Sequence, residues 1–309
     1  MEPFEHILVG LDNSPLDDQL IDYTSFIVDH TSAKRVEFVN IVRNLNVPIE
    51  VKKEFPELID TALNERKESL KRKVEERFKP VKKIKKVINV RKGAPEDLLT
   101  IADKNDIDLI IVGQKKTLES SGVTTLRLAR RANCNLLIIP ENPEPLTPKA
   151  EKLLVPIDFS QYSKLALEQT IDFAVKNDSK PEVICQNVYV VPAGYHYTGK
   201  SYEEFAEIMK KNAQSNFEKF IKKVGTRGIK VEDRYSLDQN DNLASDIYDL
   251  ADDIDADFVI IGAKGRTATA ALFLGSLAEK MVNEKMHHPL LVVRFKGKNA
   301  GLLETLREF

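Results

Sequence analysis

Four residues late in the chain have the types and spacing to hold an anion: Gly262, Gly265, Gly275 and Ser276, in the pattern G-x2-G-x9-G-S. Glycines let a backbone approach a charged group closely, so that N–H groups rather than side chains do the binding. The apolar run from Phe258 to Ile261 precedes them, with the composition of a buried parallel strand. A helical pattern follows through Leu277, Lys280, Met281 and Glu284. Strand, glycine loop and helix start together offer unpaired N–H donors and the positive end of a helix dipole. The Ser276 hydroxyl stands where it can bond the first helical amides or a phosphate oxygen. The spacing is neither the G-x4-G-K-[ST] of a P-loop nor the G-x-G-x-x-G of a dinucleotide fold. It predicts a nucleotide-phosphate site of another kind. The plainer alternative is a strand-to-helix loop with a serine cap.

The elements that must position such a loop occur twice. Ile7 to Ser14 (ILVGLDNS) matches Leu153 to Ser160 (LLVPIDFS). Asp108 to Gly113 (DLIIVG) matches Asp257 to Gly262 (DFVIIG), and Leu136 to Ile139 matches Leu290 to Val293. Between the copies, Pro143, Pro145 and Pro148 bar continuous helix or sheet. With 309 residues, two domains of about 150 each are expected. The boundaries read as a first domain 1–141, a linker 142–149, a second domain 150–295 and a tail helix 296–309.

In the first copy, strands are predicted at Ile7 to Leu11, Val36 to Val42, Val81 to Val90, Leu109 to Val112 and Leu136 to Ile139. Helices are predicted at Pro15 to His30, Glu54 to Phe78, Glu96 to Asn105 and Thr124 to Arg131. The second copy repeats the order, with its second strand at Val183 to Val191, its long helix at Tyr202 to Lys223 and its third strand near Ile229 to Tyr235. Alternating strands and helices imply an α/β fold with a parallel sheet covered on both faces.

With five strands per copy and the glycine loop after the fourth, the chain resembles the universal stress protein family over essentially its whole length. G-x2-G-x9-G-S is similar to that family's ATP-binding signature. The resemblance implies two tandem doubly wound five-stranded parallel sheets of strand order 3-2-1-4-5, with helices on both faces. In such a sheet, ligands bind beyond the strand C-termini, where the order reverses between strands 1 and 4. Carried over residue by residue, the resemblance implies that Pro156 and Asp158 contact adenine or ribose. It implies that Val188 packs on adenine and bonds it through its backbone. Gly262 and Gly265 would line the ribose and phosphate path, with Gly275, Ser276 and Leu277 presenting amides to the phosphates. Asp158 has a second reading, as a cap for the helix that follows it. Lys264 and Arg266 could add positive charge. The resemblance further implies a nucleotide-dependent sensor or regulator of the stress response that binds ATP; ATP normally brings a magnesium ion, which Asp158 alone could help hold. Relatives pair through the fifth strand, so Leu136 to Ile139 is expected to meet Leu290 to Val293 in an internal pseudo-dimer, and the whole chain is expected to form a homodimer.

The first copy departs from the signature. Asp12 is kept and Ile41 stands opposite Val188, but Lys116 occupies the second glycine position and Val123 replaces the serine. Eight residues separate Gly113 from Gly122, against twelve between Gly262 and Gly275. The first copy is therefore expected not to bind ATP as the second does.

Composition removes other classes. The net charge of −2 gives no drive towards nucleic acid or an anionic membrane. No apolar run is long enough to span a bilayer, and the N-terminus lacks a signal-peptide pattern, so a cytoplasmic protein is expected. Cys134 and Cys185 make neither a disulfide framework nor a C-x-x-C pair. The adjacent His287 and His288 cannot act as an i, i+4 metal pair and are read as loop residues. Lys79 to Lys86 is read as a solvated strand edge. Tyr195 to Tyr197 is either a lid or a surface loop. No catalytic or metal-ligating set emerges. The alternatives are a slow ATPase or adenylyl-transferring enzyme in the same crevice, or a scaffold protein without nucleotide.

Overall fold

The computed structural model of the chain describes residues 4–43, 47–115, 119–142, 147–265, 274–284 and 287–296, with backbone alone at 119–123. The tail from Leu302 to Phe309, Arg266 and Lys116 lie outside the described residues. The chain folds as two units that part between Pro148 and Lys149.

The first unit runs β1 (His6–Leu11), α1 (Leu16–Asp29), β2 (Arg35–Val42), α2 (Ile49–Glu54), α3 (Leu58–Arg77), β3 (Lys85–Lys92), α4 (Asp97–Lys104), β4 (Leu109–Gln114), α5 (Glu119–Arg131) and β5 (Asn135–Pro140). Its parallel strands lie in the order β3-β2-β1-β4-β5. The second unit runs β6 (Lys152–Pro156), α6 (Gln161–Lys176), β7 (Glu182–Tyr189), a 3-10 turn at Tyr195–Thr198, α7 (Tyr202–Val224), β8 (Val231–Leu237), α8 (Leu243–Asp253), β9 (Phe258–Gly262), α9 (Ser276–Asn283) and β10 (Leu290–Val293). Its strands repeat the same order, β8-β7-β6-β9-β10. Every residue of β5 and β9 is buried, as expected for strands covered by helices on both faces.

Two side chains per unit pin the first strand at its ends. Asp257 Oδ2 accepts the N–H groups of Glu151 at 2.7 Å and Lys152 at 2.9 Å, while Asp108 Oδ2 accepts those of Glu5 at 2.9 Å and His6 at 2.8 Å. At the other end, Asn187 Nδ2 donates to the Ile157 carbonyl at 2.6 Å and Asn40 Nδ2 to the Leu11 carbonyl at 2.7 Å. The acid that opens each fourth-strand motif is thus a clamp between strands 4 and 1.

Several boundaries differ from expectation for local reasons. The third strand begins at Lys85 rather than Val81. Asp29 at the end of α1 accepts the N–H groups of Val81 and Lys82, each at 3.0 Å, and Val81 is left 93% exposed. The long helix of the first unit is broken at Pro56 into α2 and α3. In the second unit, α7 starts on a capping box between Ser201 and Glu204 and stops at Gly225, whose φ is +76°. Gly228, at φ +82°, delays β8 to Val231.

Asp257→Ala removes the shared acceptor of two strand-start amides and lowers unfolding free energy by about 2 kcal/mol, the cost of leaving partly buried donors unmet. Urea denaturation measures it; a loss near zero would mean that water replaces the carboxylate freely.

Candidate functional site

In the second unit, β6 ends at the buried Pro156. Ile157 N–H still reaches the Gln186 carbonyl at 2.7 Å, which keeps the chain in the sheet for one more residue. Asp158 then accepts the Ser160 N–H on Oδ1 at 3.0 Å, and Phe159 takes a left-handed φ of +64°. Ser160 is the cap of α6, its Oγ accepting from Ser163 N–H at 3.1 Å. Asp158 therefore holds the turn while Ser160 caps the helix.

The glycines act here through space, since neither Gly262 nor Gly265 has a positive φ. A Cβ at Gly262 would lie 2.6 Å from the Tyr162 carbonyl carbon and 2.7 Å from its oxygen, so this glycine admits the backbone of α6 against β9. A Cβ at Gly265 would lie 2.9 Å from Asp158 Oδ2. Gly275 is the cap of α9, and its N–H is bound to the Ala263 carbonyl at 2.7 Å, which closes the loop on itself. Ser276 is consequently the first helical residue rather than the cap. The N–H groups of Ser276, Leu277 and Ala278 form the first turn, where no intrahelical acceptor exists.

These elements enclose one cleft of about 730 Å³ at the C-terminal ends of β6, β7 and β9. All eight residues singled out from the sequence line it: Pro156, Asp158, Val188, Gly262, Gly265, Gly275, Ser276 and Leu277. So does Lys264, which is 6% exposed. Its ammonium lies 5.7 Å from the centre of the Tyr162 ring, and burial together with the charge of Arg294 lowers its pKa below the ordinary lysine value. Arg294 is itself 4% exposed.

Other lining residues escaped the sequence reading. Met209, Asn212, Ala213 and Asn216 form one face of α7, at a spacing that a helical wheel reveals once the helix is known to cover the cleft. Leu243 and Ile247 of α8 add an apolar wall. Gln186 on β7 is buried at the cleft, its Nε2 donating to the Asp246 carbonyl at 2.9 Å. Tyr195 to Tyr197 do not line the cleft: Tyr195 packs on Tyr202 and Phe205, and Tyr197 is 87% exposed. His288 is in a bend, as expected of a loop residue, but buried, between the Ala256 carbonyl at 2.6 Å and Asp252 Oδ1 at 2.7 Å.

The universal stress protein family model matches residues 3–140 and 149–294. The chain belongs to the universal stress protein family. It is 28% identical over 162 residues to universal stress protein MJ0577 of Methanocaldococcus jannaschii, covering 48% of this chain and 96% of that protein. A universal stress protein from Archaeoglobus fulgidus has the same architecture, with a TM-score of 0.62 at 14% identity over 94% of this chain and 97% of that one. A universal stress protein solved in complex with cAMP is 16% identical, with a TM-score of 0.35 over 47% of this chain and 97% of that one.

The first universal stress protein domain builds a different cleft on the same frame, of about 410 Å³. Asp12 and Ile41 line it, as Asp158 and Val188 line the other. Here Lys115 forms an ion pair with Asp12, and although burial opposes it, this pair lowers the Asp12 pKa. Helix α5 begins at Glu119, earlier than the predicted Thr124, so the backbone at 122 and 123 lies inside the helix. The amides from Val123 onward are therefore spent on carbonyls four residues back. Among the described residues, no helix starts at Val123, the position that matches Ser276. Asp17, in the first turn of α1, is 1% exposed and accepts from the N–H groups of Asp12 at 3.0 Å and Asn13 at 2.9 Å.

Burial pushes the Asp17 carboxyl up to about 6, with the charge of Asp12 adding to it and the two N–H bonds and Lys73 opposing it. Its folded pKa exceeds its unfolded value, so the folded state binds the extra proton. The contribution of Asp17 to stability is therefore greatest below about pH 4 and is lost as pH rises through about 6. Carbon-detected NMR of the side-chain carboxyl should give a midpoint near 6; one near 4 would show that the site is hydrated.

Proposed function

We propose that the second domain binds ATP in its cleft and that the chain works as a nucleotide-dependent sensor or regulator in the stress response. The observation that carries this reading is the convergence of the eight signature residues on one cleft at the point where strand order reverses between β6 and β9. The chemistry of the lining divides along the cleft. Val188, Leu243 and Ile247 offer apolar surface for a planar base, and Asp158 is an acceptor suited to ribose hydroxyls. The start of α9, with Lys264 behind it, suits phosphates and the charge they carry. A side chain at Gly265 meets Asp158 Oδ2, so it requires that carboxylate to move from its place in the cleft.

Among the described residues of the lining, none supplies a nucleophile with an adjacent base, so the reading stays with binding rather than turnover. The sites, the nucleotide and the regulatory role stand on the family membership and this geometry together. The direct test is to denature protein purified without added ligand and quantify released adenine nucleotide. About one ATP per chain is expected, lost in Gly265→Val, whose branched side chain must displace Asp158 or the loop. Absence of nucleotide, together with no binding when ATP is added back, would overturn the reading.

A further inference from the structure

The first-domain cleft is set apart by how its charges are committed. Asp12, Asp17, Arg43, Arg66 and Lys115 all line it. Both carboxylates are already engaged within the domain: Asp12 with Lys115, and Asp17 with two backbone N–H groups and with Lys73 at 3.8 Å. The two guanidiniums are anchored differently. Arg43, just past β2, donates from Nη2 to Thr124 Oγ1 at 3.1 Å, and Arg66 on α3 donates from Nε to Asn40 Oδ1 at 3.1 Å. Both anchors are neutral oxygens. Arg43 also acts electrostatically on Glu96, which is itself paired with Arg127 at 2.8 Å. A guanidinium carries five N–H donors in a planar fork that matches the oxygens of a phosphate. One donor fixed on a neutral oxygen orients the fork and leaves the others for an anion.

We propose that the first-domain cleft binds a phosphate group, free or as the monoester of a small molecule, gripped by Arg43 and Arg66 in place of backbone amides. The smaller volume, about 410 Å³ against 730 Å³, and a backbone that at 122 and 123 already lies inside α5 fit a compact ligand rather than a nucleoside triphosphate. Lys115, tied to Asp12, holds that carboxylate away from the incoming charge. The site does not depend on the second domain holding ATP.

The test titrates the full chain with inorganic phosphate, and separately with ribose 5-phosphate, following backbone amide shifts residue by residue. Both probes should perturb the amides around Val42 and Thr124, saturating by about 10 mM, the weak end of specific binding. Tighter binding of ribose 5-phosphate would identify a monoester as the ligand, and equal binding the free ion. Arg43→Gln and Arg66→Gln should each weaken it about tenfold, the loss of one charge-assisted contact, and Arg66→Lys should restore part of that. Arg43 is exposed, so Arg43→Gln keeps the fold even where Arg66→Gln does not. ATP content per chain, read in parallel, should be unchanged in both variants. Failure to saturate, perturbation confined to the second domain, or wild-type affinity in the double variant would overturn the proposal. So would a second ATP per chain that disappears in the double variant.

Discussion

The second-domain site depends on the contact between the first turn of α6 and the bare backbone of Gly262. Tyr162 lies so close that a Cβ at 262 would sit 2.6 Å from its carbonyl carbon, a separation that atoms do not share. Because the partner is backbone rather than a flexible side chain, no rotamer change relieves it. That contact sets the depth at which α6 leaves β6, and so where Asp158 stands relative to Gly265. The Tyr162 ring, fixed by the same turn, lies beneath the Lys264 ammonium. Both ends of the cleft are thus tied to one close approach of helix and strand.

The first domain has Gly113 at the matching place, but what a Cβ would meet there is the side chain of Leu16, not helix backbone. Its α1 is seated on leucines, and the space between helix and β4 is filled by Leu16 and Leu20. Both domains keep the pins at the ends of their first strand: Asp108 with Asp257, and Asn40 with Asn187. The residues that hold the sheet are thus alike between the copies, while the loops after the fourth strand differ.

Much of this was legible because the signals are local. Period, proline, glycine and repeat gave the two domains, the parallel strands and the loop residues Gly262, Gly265, Gly275 and Ser276, since the loop after the fourth strand is set by nearby chain, whereas Pro156, Asp158, Val188 and Leu277 came from the resemblance. The resemblance supplied the strand order, which no local pattern encodes. What escaped was of two kinds. One was long-range capture of backbone, as when Asp29 takes the amides of Val81 and Lys82 and postpones β3 to Lys85. The other was the choice of helix face over the cleft, as with Met209, Asn212 and Asn216, because periodicity shows that a face exists without saying what it meets.

The loop of the first domain joins these strands of the argument. Its departures at Lys116 and Val123 are visible as a missing glycine and a missing hydroxyl, which predict that the first copy does not bind ATP as the second does. The backbone gives a stronger reason: the helix has grown back to Glu119, so amides that would face a phosphate are bonded within α5. A helix start is an anion site only while its first turn is unpaired. Once that turn is extended, positive charge for an anion must come from side chains, and in this cleft the side chains placed for it are arginines.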